Sequence, residues 1–155
     1  MRREIVTEIH IQADPLAVWA VLLDFRAYPE WNPFIRSISG EADTGARLDV
    51  TIEPPGLRPM RFRPQVLRAM PARELSWLGR LGVPGLFDGE HRFMLEADEE
   101  RGGTRLLHRE KFSGILLPLM WWLTARATRR GFEAMNQALK YRVEQADGPA
   151  DTPAR

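Results

Sequence analysis

Hydrophobic and polar positions alternate at the start of the chain. Ile5, Ile9 and Ile11 lie on one side of a period-two pattern, whereas Glu8 and His10 lie on the other. This alternation is typical of a strand with one buried face. The chain therefore begins with a predicted half-buried strand over residues 5–12.

A short helix and an aromatic turn are predicted next. Asp14 can cap a helix and Pro15 is tolerated at its first position, so the apolar spacing that follows predicts a helix over 15–24. Residues 28–33 read Tyr-Pro-Glu-Trp-Asn-Pro, and each proline pushes the residue before it toward extended backbone. We expect a tight loop or a single helical turn here.

The middle of the chain has strand patterns, and its end has one long helical pattern. Six short segments separated by turn residues indicate a meander of strands over 34–40, 47–53, 61–69, 74–80, 87–97 and 104–113. Apolar residues at spacings of three and four predict an amphipathic helix over 118–145. Its core-facing positions are Trp121, Ala125, Thr128, Phe132, Met135, Leu139 and Val143, and its water-facing positions are Arg126, Arg129, Arg130, Glu133, Gln137, Lys140 and Glu144.

These elements predict an α+β fold. An antiparallel sheet of about seven strands cannot bury its apolar face alone, and one long helix supplies the cover. We expect a curved sheet wrapped around the C-terminal helix, with short helices between strands 1 and 2 and a volume between sheet and helix that can hold a ligand. Residues 1–146 would form this single domain, and 147–155 would be a disordered tail.

Composition narrows the classes of function. The 155 residues include 22 Lys and Arg and 21 Asp and Glu, so the formal net charge of +1 does not favour a nucleic-acid partner. Without cysteine there is no disulfide framework, thiolate nucleophile or cysteine-ligated metal, and a reducing, cytoplasmic location is expected. The longest apolar stretch, 115–123, is about half the ~20 residues of a transmembrane helix. We therefore expect no transmembrane segment, and at most a peripheral contact with a bilayer.

Four local patterns resemble those of one protein superfamily. They are Asp-Pro-Leu-Ala-Val-Trp at 14–19, Tyr-Pro-Glu-Trp-Asn-Pro-Phe at 28–34, Gly-Thr-Arg-Leu-Leu-His-Arg-Glu at 103–110 and Gly-Phe-Glu-Ala-Met-Asn at 131–136. The chain resembles the START-like helix-grip superfamily (SRPBCC), in particular its polyketide cyclase/dehydrase and lipid-transport-like group of small bacterial proteins. The resemblance implies a helix-grip fold with a deep cavity for lipids, sterols, polyketides, hormones or aromatic compounds. It implies no catalytic set as a unit, because site residues vary across the superfamily.

His108 and Glu110 are the candidate catalytic residues. They alternate with Leu106 and Phe112 on one face of the last predicted strand, so they point inward if that apolar face does. A buried carboxylate beside an imidazole is suited to general acid–base catalysis. In the alternative interpretation, Glu110 anchors the loop around Trp31 or pairs with an arginine, and His108 is a wall residue.

A larger set of residues forms the candidate ligand-binding walls. Apolar side chains on one face of neighbouring strands and of the long helix either line a cavity or fill a solid core. His91 either offers a polar group to the cavity or lies at the entrance of its strand, and Asn32 either faces the ligand or binds backbone. The set is Trp31, Asn32, Val50, Ile52, Phe62, Val66, Trp77, His91, Phe93, Leu95, Phe112, Trp121, Ala125, Thr128 and Phe132.

The Trp121–Trp122 pair begins the long helix. One indole can face the core, and its neighbour then points about 100° away. If exposed, it could gate the cavity, contact a partner or rest on a membrane surface, and the alternative is burial under the loops. No metal site is predicted, since His10 lies on the polar side of its strand and no HExxH motif occurs, and no cofactor is expected.

The leading functional hypothesis is binding or carriage of a small hydrophobic or aromatic molecule, lipid-like or polyketide-like, oriented by His108, Glu110 and Asn32. An alternative is a cofactor-free polyketide cyclase or dehydratase in which His108 or Glu110 moves protons on an enolisable substrate. A third hypothesis is a protein–protein interaction module that uses the Trp121–Trp122 region.

Overall fold

A computed structural model describes residues 1–146, and the predicted tail 147–155 lies outside the described residues. The elements follow the predicted order. They are β1 (Arg2–Ile11), α1 (Pro15–Leu23), a 3₁₀ turn (Phe25–Ala27), α2 (Tyr28–Trp31), β2 (Ile35–Ser39), β3 (Asp49–Ile52), β4 (Met60–Phe62), β5 (Gln65–Met70), β6 (Glu74–Arg80), β7 (Asp88–Ala97), β8 (Thr104–Ser113) and α3 (Leu117–Ala146).

Within residues 1–146, eight antiparallel strands form two hydrogen-bonded groups. β1, β8, β7, β6 and β5 lie side by side in this order, and β2, β3 and β4 form the second group. The groups are joined where Arg47 bridges Gln65 and the Leu48 amide donates to the Pro64 carbonyl (2.9 Å). The predicted α+β class, an antiparallel sheet with a long C-terminal helix, is confirmed.

The sheet has one strand more than expected because the predicted strand 61–69 divides at Pro64. Met60–Phe62 pairs with β3, whereas Gln65–Met70 pairs with β6. Proline has no backbone N–H to donate and its ring fixes φ, so it ends one strand before the next begins. The predictions 74–80 and 104–113 coincide with β6 and β8.

The two short helices position the chain at one end of the sheet. The Asp14 side chain accepts a hydrogen bond from the Ala17 amide (3.1 Å), and Pro15 is the first residue of α1, as predicted. The expected single turn at 28–33 is α2. The buried Tyr28 hydroxyl donates to the Leu22 carbonyl (2.6 Å) and ties this turn to α1.

Helix α3 covers the sheet with the predicted stripe. Its buried positions include Thr128, Phe132, Met135, Leu139 and Val143. The expectation that Lys140 and Glu144 face water is wrong, because both are half-buried. The Lys140 ammonium donates to the His10 carbonyl (2.8 Å) and to Glu144, and the Glu144 carboxylate accepts from the Gln12 amide (2.8 Å). These bonds dock the end of α3 on β1.

Gly131 lets α3 approach the segment before β2. A Cβ at this position would overlap the ring of Phe34, which is buried and packs edge-on against Phe132. Alanine gains about 1 kcal/mol over glycine in an exposed helix, but overpacking a core costs about 1–3 kcal/mol. Gly131→Ala is therefore expected to lower the free energy of unfolding by up to about 2 kcal/mol, measured by urea denaturation. An equal loss in a Phe34→Ala background, which lacks the side-chain atoms that the new Cβ would meet, would contradict this contact.

Candidate functional site

A chain of hydrogen bonds crosses the inner face of the sheet and reaches α3. Glu110 Oε2 lies 3.3 Å from Nδ1 of His91, and Nε2 of His91 lies 2.8 Å from Nε2 of His108. Nδ1 of His108 lies 2.8 Å from Oδ1 of Asn136, whose Nδ2 donates to Oγ1 of Thr7 (2.9 Å). These five residues are called the imidazole network.

Strand register brings the imidazole network together. His91 on β7 is the direct partner of Glu110 on β8, and Thr7 on β1 is the direct partner of His108. Directly opposed residues of neighbouring strands project from the same face of a sheet. Asn136 comes from the buried side of α3, so the network joins three adjacent strands to the covering helix.

The hydrogen bonds fix the positions of the protons. The Thr7 hydroxyl donates to the His108 carbonyl (3.0 Å), so its oxygen accepts from Asn136, and the Asn136 oxygen accepts from Nδ1–H of His108. Nε2 of His108 then accepts from Nε2–H of His91. His91 Nδ1 is left facing Glu110 Oε2, and a hydrogen bond between them needs a proton on one of these two atoms. The His91–Glu110 contact is thus the point of the network at which an imidazole meets a carboxyl group.

Aromatic rings enclose both imidazoles. His108 stacks on Phe132 with centroids 4.0 Å apart, and His91 stacks on Trp77 at 5.0 Å. Phe93 contacts both imidazoles. Burial first, and electrostatic repulsion by the neighbouring His91 second, hold the pKa of His108 well below its ordinary value against the opposing effect of the Asn136 hydrogen bond. His108 is therefore a neutral ring in the folded protein.

A cavity of about 110 Å³ opens beside the Glu110 end of the imidazole network. One water needs about 10–15 Å³ of such space, so the cavity exceeds several waters. Apolar side chains dominate its wall: Ile52, Met60, Phe62, Phe87, Phe112 and Met120. Its charged or hydroxyl-bearing wall residues are Arg61, Arg80, Glu110, Thr124 and Thr128. Glu110 is the residue through which the network reaches the cavity.

Two glycines make room at this point. Gly79 on β6 and Gly89 on β7 are direct partners and both line the cavity. A Cβ on Gly89 would overlap Oε1 of Glu110, and a Cβ on Gly79 would lie 3.1 Å from the Phe62 ring. The absence of a side chain at Gly89 therefore allows the carboxylate to lie between His91 and the cavity.

The sequence profile of a protein family described as polyketide cyclase / dehydrase and lipid transport matches residues 2–144. The chain belongs to this family. A search of curated proteins found no match.

Solved structures with the same fold agree with this membership. The Zhui aromatase/cyclase of Streptomyces sp. R1128 has a TM-score of 0.77 and 15% identity, over 97% of this chain and 99% of that chain. A START superfamily protein of Mycobacterium smegmatis has a TM-score of 0.69 and 21% identity, over 92% of this chain and 98% of that chain. Protein MLL2253 of Mesorhizobium loti has a TM-score of 0.71 and 22% identity, over 94% of this chain and 100% of that chain. At these identities the structures establish the START-like helix-grip fold.

The predicted site residues of this polyketide cyclase / dehydrase family member fall into separate layers. The cavity wall contains Ile52, Phe62, Glu110, Phe112 and Thr128. The buried layer behind it contains Val50, Val66, Trp77, His91, Phe93, Leu95, His108 and Phe132. His108 has both ring nitrogens engaged and does not line the cavity, so it can act on a ligand only through His91 and Glu110. A ligand-binding role for the wall residues stays a prediction.

The remaining predicted residues lie outside the cavity wall. Asn32 is buried, and its side-chain oxygen accepts hydrogen bonds from the amides of Phe34 (3.0 Å) and Ile35 (2.8 Å). Of the two roles predicted for Asn32, facing a ligand or binding backbone, the structure shows the second. Trp31 packs on Tyr28 with centroids 5.1 Å apart. Trp121 and Ala125 are half-buried on α3, and Trp121 packs edge-on against Phe112. Trp122 is 82% exposed.

Sequence reasoning missed three residues of this site. Asn136 and Thr7 complete the imidazole network, and Gly89 makes space for Glu110. A signal for the first two was present, since each is a polar residue within a buried apolar stripe, and buried polar groups need partners. Gly89 gave no such signal, because its role depends on the register of β7 against β8.

The described residues also bear on the predictions about a metal site and a membrane-spanning segment. Among residues 1–146, His, Asp and Glu side chains do not gather in groups of three that could hold a metal ion. No helix within this described part of the chain is both long and apolar enough to span a bilayer.

The buried His108 predicts a pH dependence of stability. In the unfolded chain its pKa is about 6.5, so below that pH the unfolded state binds a proton that the folded state excludes. The free energy of unfolding should therefore fall by about 1.4 kcal/mol per pH unit from this group as the pH drops below about 6.5 toward the folded pKa. Urea denaturation of wild type and His108→Leu between about pH 7 and pH 5 measures the difference in slope. Equal slopes would contradict the neutral, buried ring.

Proposed function

We propose that this protein binds a small, largely apolar molecule in the cavity beside α3, with Glu110 as the polar group that orients it. The main support is that the cavity wall is apolar except at a few positions, and that one of these, Glu110, belongs to a buried hydrogen-bond network. Apolar pockets with a few placed polar groups are typical of small-molecule sites. The family description, which includes lipid transport, is consistent with such a ligand. The cysteine-free composition is compatible with the expected cytoplasmic location.

Glu110 differs from the other charged groups in the cavity wall. Arg61 bonds to Asp49 (3.0 Å) and its side chain is 74% exposed, and Arg80 lies 3.9 Å from Asp88. The Glu110 side chain is 17% exposed and faces His91. A ligand hydroxyl can donate to the carboxylate form of Glu110, and a ligand carbonyl can accept from its acid form. We therefore expect an aromatic or lipid-like molecule with one oxygen near Glu110.

Titration with β-naphthol, a fluorescent aromatic alcohol, tests this proposal. The wild-type protein is expected to bind it, and Thr124→Phe, which places a ring in the cavity, is expected to weaken binding at least about tenfold. Gln137→Phe adds the same ring on the exposed side of α3 and should bind like wild type. No binding by the wild type, or unchanged binding by Thr124→Phe, would contradict the proposal.

Proton-transfer catalysis is the second candidate function, favoured by a carboxyl group, Glu110, that lines the cavity and lies 3.3 Å from Nδ1 of His91. As a carboxylate, Glu110 can take a proton from the carbon beside a ligand carbonyl. The C–H bond breaks, an O–H bond forms on Glu110, and the electron pair becomes the enolate. Return of the proton to the ligand completes an isomerisation without a cofactor. One fold neighbour is an aromatase/cyclase, which is consistent with this chemistry.

Deuterium exchange into β-tetralone, an enolisable ketone, separates binding from catalysis. A catalyst is expected to accelerate exchange by about 100-fold or more, and Glu110→Gln should remove the acceleration while the ketone still binds. Binding of the ketone without faster exchange would exclude catalysis on this ketone class and leave the carrier function.

A further inference from the structure

The start of α3 and the residues just before it present an apolar surface to solvent. Leu119, Trp122 and Leu123 on the helix and Ile115 before it are between 52% and 82% exposed. Trp122 and Leu123 follow Leu119 by three and four residues, so each lies next to Leu119 on the helix surface. Isolated exposed apolar residues are ordinary, but a contiguous group marks an interaction surface.

A second segment extends this surface. Leu81 and Val83, in the turn between β6 and β7, are 49% and 65% exposed. The turn is joined to the start of α3 by backbone hydrogen bonds from the Ile115 amide to the Gly85 carbonyl and from the Leu116 amide to the Leu86 carbonyl, both 3.0 Å. The surface formed by Leu81, Val83, Ile115, Leu119, Trp122 and Leu123 is called the apolar patch.

Arginines border the helical part of the apolar patch. On α3, residues 117–132 contain Arg126, Arg129 and Arg130 but no Asp or Glu, whereas Arg80 at the start of the turn lies 3.9 Å from Asp88. Arg126 and Arg130 are exposed and continue the helix side that carries Trp122. The helical part of the patch is therefore bordered by positive charge, although the whole chain is almost neutral.

The apolar patch lies beside the cavity. Leu81 belongs to the patch and also lines the cavity, and Met120 and Thr124 line the cavity from the same two turns of α3 that carry Trp122. An apolar ligand that enters or leaves near α3 therefore passes close to the patch.

We infer that the apolar patch docks the protein on an anionic lipid bilayer. Exposed Trp and Leu side chains insert into the interfacial region, and flanking arginines are attracted to negatively charged headgroups. A second copy of this chain fits less well, because a twofold contact through the patch would bring its basic border against itself. The inference does not depend on the identity of the cavity ligand.

Vesicle co-sedimentation tests the inference. The wild-type protein should sediment with vesicles containing phosphatidylglycerol and bind pure phosphatidylcholine vesicles much more weakly. Replacement of Arg126 by Gln should weaken binding to the anionic vesicles about fivefold. Trp122→Ala should weaken it about tenfold, whereas Tyr141→Ala, which removes a 68% exposed aromatic residue from the same helix outside the patch, should leave it unchanged.

Three results would overturn the inference. They are failure of the wild type to bind anionic vesicles, equal binding by Trp122→Ala, and equal binding to both vesicle types. A concentration-dependent dimer that Trp122→Ala abolishes, without vesicle binding, would assign the patch to a second copy instead. Trp122 does not line the cavity, so Trp122→Ala should still bind β-naphthol. Binding of β-naphthol without binding to vesicles would therefore overturn the docking inference and leave the proposed function intact.

Discussion

Asn136→Leu is expected to lower the free energy of unfolding by about 2–3 kcal/mol. Leucine has nearly the size of asparagine, so the change removes hydrogen bonds without opening a large cavity. His108 Nδ1 loses its partner in a fully buried, aromatic environment, and Thr7 loses the amide that donates to it. A buried polar group without a partner costs more than the average hydrogen bond contributes. Urea denaturation measures the loss.

The matched control is Gln137→Leu. It also replaces an amide by leucine on α3, but residue 137 is exposed. Its expected effect is within about 0.5 kcal/mol of wild type. Similar losses for the two variants would contradict the role of Asn136 in the imidazole network.

Asn136→Leu should also change the proton arrangement in the network. In the wild type, the Asn136 oxygen requires a proton on Nδ1 of His108. Without it, His108 can carry the proton on Nε2 and donate to His91, which then donates from Nδ1 to the Glu110 carboxylate. A proton–nitrogen correlation spectrum of the histidine rings reports this reversal, which a purely structural loss would not produce.

Gly89→Ala is expected to weaken β-naphthol binding by about 10- to 100-fold with little loss of stability. The added Cβ would overlap Oε1 of Glu110, and the end of that flexible side chain can move away at low cost. The carboxylate then leaves its place between His91 and the cavity. A hydrogen bond to a charged group contributes about 1.5–3 kcal/mol, which corresponds to the expected loss of affinity.

Glu110→Gln provides the control for Gly89→Ala. If glycine acts by positioning the Glu110 carboxylate, the double variant should bind β-naphthol about as weakly as Glu110→Gln alone. Fully additive losses would show that alanine at position 89 acts on the cavity by another route.

The sequence alone was sufficient to predict the strands and the helix that bury one face. Alternation in β1 and β8 and the three–four spacing in α3 predicted these elements, and the inward face of β8 correctly included His108 and Glu110. The prediction of one strand over 61–69 was wrong. The apolar pattern continues through Pro64, but the strand pairing cannot continue there.

The candidate site was less predictable because it depends on contacts between distant segments. His91 meets Glu110 only through the register of β7 and β8, and Asn136 meets His108 only when α3 lies on the sheet. The division between cavity wall and solid core depends on side-chain packing, which periodicity does not specify. Trp77 and Phe62 have the same apolar character, yet Trp77 is buried behind His91 and Phe62 lines the cavity.

A ligand in the cavity is expected to reach the imidazole network through Glu110. Proton–nitrogen correlation spectra of the histidine rings, recorded with and without β-naphthol, detect this contact. The His91 resonances should shift on binding, while those of His10, which bonds to the Gly102 carbonyl at the far end of β1, should not. Binding of β-naphthol with unchanged His91 resonances would show that the ligand does not reach the network through Glu110.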